Sequence, residues 1–149
     1  MSKSSLPTKR DVRFLLAEDI RQEASTRPTL LGLIPGERFM VGGSPPSVAP
    51  PGTAFVLPSL AFVFIITGGH GKFEGRFRIV APDRKTPAVD IPVEEPIAIA
   101  PGKVSVFGTT AKPFIGSAFG KYSVELQVGN TSFKFPMMIT KGAATPKKR

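Results

Sequence analysis

Side chains able to act on protons, metals or phosphates are few in this chain and widely spaced. There is no cysteine and one histidine. That histidine, His70, lies in Gly68-Gly69-His70-Gly71, where three glycines read as backbone turning rather than as part of a ligand set. A zinc centre needs three or four His, Cys or carboxylate ligands to converge. Gly68 to Lys72 has the glycines and lysine of a phosphate loop without its order: Phe73 follows where a Ser or Thr should open a helix. Gly-x-Ser-x-Gly is absent, and Ser44 and Ser117 have no base that sequence can supply. Asp90, Glu94 and Glu95 offer oxygen ligands, but at a spacing common on solvated strand edges. The densest charged region joins Glu18, Asp19, Glu23 and Glu37 to Arg21, Arg27 and Arg38. Paired carboxylates do acid–base work when their environments split their pKa values, whereas neighbouring arginines in equal number make ion pairs that fix a turn. Within this cluster Asp19, Arg21 and Glu23 are the candidate functional residues. The chain has no Trp, and its single Tyr belongs to an alternating apolar set, which argues against sugar stacking. No enzymatic activity and no cofactor is expected.

The elements that would position these residues are strands. Sixteen Pro and fifteen Gly, spread along 149 residues, leave no long helical window. The best-specified unit is a hairpin over residues 121–140. Tyr122, Val124, Leu126 and Val128 alternate with polar residues, as do Phe133, Phe135, Met137 and Ile139, around Gly129-Asn130. Counting out from the turn sets Leu126 opposite Phe133, Val124 opposite Phe135 and Tyr122 opposite Met137. Pro136 has no N–H, so the outer side of its strand is expected to be unpaired or bulged there. A second hairpin is expected from Leu60–Thr67 and Lys72–Val80, with Phe62 facing Phe77 and Gly75 leaving room for the Phe64 ring. In that arrangement Ala61, Val63 and Ile65 form an outward apolar stripe beside Arg76 and Arg78.

Shorter strands are expected over 12–17, 29–34, 37–41, 89–93, 97–99 and 104–106, with residues 108–120 as a longer loop. Val89, Ile91 and Val93 alternate as an edge strand would. Residues 42–53, with two Pro-Pro pairs, form the clearest linker. The reading is all-β: an antiparallel sandwich of eight to nine strands over residues 11–141, with mobile basic tails at 1–10 and 142–149. The net charge of +9 sits largely in those ends. Residues 1–13 contribute +3 and 141–149 contribute +4, leaving +2 for everything between. The absence of cysteine suits a reducing compartment. The apolar runs are too short for a signal-peptide core or a membrane span, so a cytoplasmic, unanchored protein is expected.

Gly120-Lys121-Tyr122-Ser123-Val124-Glu125-Leu126 resembles the penultimate strand of immunoglobulin-like sandwiches, where a tyrosine hydroxyl ties back to the chain at a corner. The Cys and Trp of antibody domains are missing. Residues 12–41 also resemble an uncharacterised family of small bacterial proteins. Its members open with a strand, an acidic pair, Ile-Arg-x-Glu and Leu-x-Gly-Leu. The counterparts here are Phe14–Ala17, Glu18-Asp19, Ile20-Arg21-Gln22-Glu23 and Leu30-Leu31-Gly32-Leu33, and the final hairpin agrees too. This resemblance implies fold and a bacterial or phage origin, and no activity.

Function is therefore expected at a surface. The first expectation is a non-enzymatic module binding another protein or a second copy of itself, through a sheet face or edge. The candidate face is Ala61, Val63, Ile65, Arg76 and Arg78; a loop of the same chain covering the stripe would remove it. The alternative is an accessory nucleic-acid binder whose tails, with Lys147, Lys148 and Arg149, contact phosphates without reading sequence.

Overall fold

A computed structural model describes residues 4–22, 28–42, 48–83 and 87–142. In chain order its strands are β1 (Val12–Gln22), β2 (Pro28–Ile34), β3 (Arg38–Val41), β4 (Phe55–Leu57), β5 (Leu60–Ile66), β6 (Gly71–Phe73) and β7 (Gly75–Val80). They continue with β8 (Val89–Pro92), β9 (Ile97–Ile99), β10 (Ser105–Ala111), β11 (Phe114–Gly116), β12 (Gly120–Val128) and β13 (Thr131–Lys141). One sheet has the order β10-β5-β1-β2 and a larger one β3-β13-β12-β7-β8, while β4 pairs with β11 and β6 with β9. The fold is thus all-β, with more and shorter strands than the eight to nine expected. Residues 108–120, expected as a loop, contain the end of β10 and all of β11. No helix among the described residues is long and apolar enough to cross a membrane.

The two larger sheets lie face to face, sandwich-like, because each has one continuous apolar face. Val12, Phe14 and Leu16 of β1 and Leu60, Phe62, Phe64 and Ile66 of β5 are buried on one side. They meet Phe77, Ile79, Tyr122, Val124, Leu126, Phe133, Met137 and Ile139 from the other. Aromatic rings bridge the sheets, with centroids 5.2 Å apart for Phe62–Phe77 and 5.4 Å for Phe14–Phe135. Each fully buried Phe contributes roughly 1.5–3 kcal/mol.

The β12–β13 hairpin has the register expected, with Leu126 opposite Phe133, Val124 opposite Phe135 and Tyr122 opposite Met137. The Tyr122 hydroxyl donates to Ala118 O at 2.6 Å, tying the start of β12 to the preceding corner. Beyond β13, β3 pairs only from Met138 onward, in parallel. Among the described residues no strand pairs with the outer side of β13 at Pro136, which suits its missing N–H, and the short turn Pro35–Glu37 that leads into β3 touches β13. Likewise β8 ends its sheet.

The expected hairpin of Leu60–Thr67 with Lys72–Val80 does not form. β5 pairs with β1 and β10, whereas β7 pairs with β12 and β8 in the opposite sheet. The chain between them is an arch that crosses the core, so Phe62 and Phe77 touch across the sandwich rather than along a ladder. The space over Gly75 is filled by Ile97 and Val93, not by the Phe64 ring.

The glycines of the arch have a second cause besides turning. The N-terminal segment, expected to be mobile through residue 10, lies along the arch from Ser5 onward. Ser5 N–H donates to His70 O and His70 N–H donates to Ser5 O, both at 2.8 Å. A Cβ on Gly69, whose φ is +88°, would sit 2.7 Å from Ser5 O. Leu6 packs against the core and Pro7 is buried.

Candidate docking surface

The stripe of Ala61, Val63 and Ile65 is no surface. Ala61 and Val63 are 0% and 2% exposed, and Ile65 is half-buried. Part of the cover comes from the chain itself. β1 pairs with β5 only through Ala17, then continues with β2 as its one paired strand among the described residues. Past that point the β1–β2 hairpin folds over the outer side of β5 towards β10. Two contacts fix this course. Ile20 Cδ1 lies 2.7 Å from where a Cβ on Gly108 would be, with Val63 Cγ2 3.9 Å from the same point. Lys112 Nζ, just past the end of β10, donates to Asp19 Oδ2 at 3.2 Å. The bare Cα of Gly108 leaves room for the tip of the Ile20 side chain.

Arg76 and Arg78 do not border the stripe. They project from the outer face of the other sheet, on the far side of the core. Arg76 Nε donates to Asp90, Arg78 Nε donates to Asp90 Oδ1 at 3.2 Å, and Arg78 Nη1 is 3.8 Å from Glu125 Oε1. Arg76, then Arg78, holds the Asp90 carboxyl below its ordinary value of 3.8. This separates Asp90 from Glu94 and Glu95, which form no calcium-like cluster with it. No group of three metal-ligating side chains converges among the described residues.

Of the charged cluster, Asp19 has partners in the fold. Asp19 accepts from the N–H of Ile20 and from Lys112, which lower its pKa in that order. Arg21 is exposed and adds only a longer-range attraction. Glu23, Lys147, Lys148 and Arg149 lie outside the described residues.

The surface feature that sequence reasoning missed runs along β10. That strand ends its sheet, so one side of its backbone pairs with no strand among the described residues, although β9 touches its start, where Ser105 Oγ donates to Ala98 O at 3.2 Å. Facing it is the segment that leaves β8 and enters β9. Between them opens a cleft of about 560 Å³ lined by Phe77, Ile91, Val93, Glu95, Phe107 and Thr109. A neighbouring hollow of about 270 Å³ shares Val93, Glu95 and Phe107 and adds Val106. Ile91 and Val106 are each 47% exposed. Glu94 and Glu95 stand at the rim with no ion pair among the described residues. The arrangement offers main-chain hydrogen bonds, apolar subsites and two carboxylates. The alternation of Val89, Ile91 and Val93 was a visible signal for the β8 wall, but β10 as the facing wall depends on pairing between distant segments. No protein-family model matches the chain, and neither does any curated protein.

Proposed function

We propose that this chain is a non-enzymatic interaction module that takes up an extended segment of another protein along the free edge of β10. A single observation carries the reading: an unpaired strand edge coincides with a cleft whose walls are apolar. An added strand would satisfy the edge by main-chain hydrogen bonds and send alternate side chains into the cleft. Glu94 and Glu95 favour a segment bearing Lys or Arg at the rim. The scaffold in this reading is immunoglobulin-like, which the Tyr122 corner and the face-to-face sheets support.

A displayed peptide library selected on the purified chain should enrich basic segments with apolar residues at alternate positions. Bound peptide should slow hydrogen exchange along Ser105–Ala111. Ile91→Asp should weaken binding about tenfold or more, the scale of one apolar side chain returned to water. Binders that protect a different element, or that ignore both Ile91→Asp and Glu95→Lys, would refute the reading.

A further inference from the structure

The outer face of the larger sheet sorts charge in a way the linear sequence hides. Its rows follow from the pairing register. One row carries Lys121, Met138 and Arg38; the next carries Val80, Ser123 and Pro136; a third carries Asp90, Arg78, Glu125 and Lys134; a fourth brings Arg76 beside Gln127. Five cations and two anions therefore share this face. Both anions are occupied by arginine: Asp90 by Arg76 and Arg78, and Glu125, 7% exposed, by Arg78. Lys121, Lys134 and Arg38 are exposed and make no ion pair among the described residues.

Shape adds a second observation. The row of Ser123 and Pro136 has short side chains, and the rows on either side have long cationic ones. The result is a hollow of about 320 Å³ lined by Lys121, Ser123, Lys134 and Pro136, with Tyr122 and Phe135 beneath. Its floor offers the Ser123 hydroxyl as a donor, and Pro136 brings no N–H of its own. Lysine acts on a phosphoryl group as a compact, rotatable charge with three donors, so two of them flanking a hydroxyl suit a tetrahedral oxyanion better than a flat carboxylate.

From this geometry we infer a phosphoryl-binding site on the outer face of β12 and β13. Lys121 and Lys134 are the charge partners, Ser123 is the hydroxyl donor and Arg38 a further cation along the row. This site lies on a different face from the β10 cleft, and its test is independent of it. The phosphoryl group could come from a small phosphomonoester or from the phosphodiester backbone of a single-stranded nucleic acid.

The test uses the full chain with two probes, inorganic phosphate and oligothymidylate, read by backbone amide shifts. Phosphate should move the amides of Ser123, Lys134 and their neighbours saturably. The double variant Lys121→Gln/Lys134→Gln should bind about tenfold more weakly, the scale of a lost charge-assisted contact. If oligothymidylate binds the same amides, with an affinity that falls as salt rises and a slope of about −0.7 per phosphate contacted, the source is a phosphodiester. If only phosphate binds there, the source is a monoester. The control Lys72→Gln/Lys103→Gln removes the same charge elsewhere and should change nothing. Equal losses in both double variants, or binding that survives Lys121→Gln/Lys134→Gln, would place the attraction in net charge or in the tails and overturn the site.

Discussion

At the scale of single residues, Tyr122 shows how one side chain can close a corner. Its ring is buried against Phe55 and Phe114, and its hydroxyl reaches Ala118 O at 2.6 Å. Tyr122→Phe keeps the ring and removes that bond. It should cost about 0.5–1.5 kcal/mol, the net worth of a typical intramolecular hydrogen bond, seen as a lower denaturant midpoint at unchanged slope. An unchanged midpoint would show that the bond to Ala118 O adds nothing to stability. Asp90 gives a pH signature. Its folded-state pKa is depressed chiefly by Arg76, below the 3.8 of the free side chain. The ionised form is thus favoured in the folded protein, and its contribution is complete above that value. It fades as pH falls through the lower folded-state pKa. Urea midpoints of the parent and of Asp90→Asn should therefore differ near neutrality and converge in acid below about pH 3.8. A gap that persists undiminished into strong acid would contradict the ion pair. Both residues were partly legible in the sequence. The Gly-x-Tyr entry to an alternating strand marks the corner, whereas the partners of Asp90 come from β7, whose neighbours the sequence did not identify.

Strands and their connections account for the largest departure from the sequence reading. Leu60 to Ile66 is apolar on both faces, which calls for cover on both sides. A hairpin to 72–80 would have supplied one neighbour and left Ala61, Val63 and Ile65 open. Instead β5 lies between β1 and β10, and the far half of the β1–β2 hairpin folds across its outer side. A glycine-rich connection is compatible with a hairpin within one sheet and with an arch between two. A period of two says which residues share a face and is silent on which strand lies beside them. The β12–β13 pair escaped this ambiguity because a two-residue turn leaves one register that buries both apolar sets. The practical consequence falls on Val63. Val63→Glu, harmless on an exposed face, places a carboxylate at a 2% exposed position. It should cost at least about 3 kcal/mol, by the scale of an uncompensated buried charge. Thermal unfolding would read this directly. A variant as stable as the parent would restore the stripe to the surface.

For the molecule as a whole, the two large sheets share one core and should unfold together. Tyr122 is the only tyrosine and there is no tryptophan, so near-ultraviolet tyrosine signals report on a buried side chain of that core. They should change at the same denaturant concentration as the far-ultraviolet strand signal, in a single transition. Separate midpoints would show that one sheet survives the other. The same scale decides the charge pattern. Between residues 14 and 140 the cations exceed the anions by only two, and in the linear order they look evenly mixed. Pairing of β3, β13, β12 and β7 gathers five cations on one face and uses two of them to neutralise its carboxylates. Sequence alone determined what is local: the all-β class, the closing hairpin with its register, the tyrosine at the corner, and the lack of a paired strand beside Pro136 among the described residues. These follow from turn chemistry and side-chain alternation, which act over a few residues. Tertiary structure decided which strands are neighbours, and with that what β5 hides, where a cleft opens beside β10, and which lysines line one hollow with Ser123. Those contacts join segments tens of residues apart, and only burial of a shared core selects among the pairings that the local pattern permits.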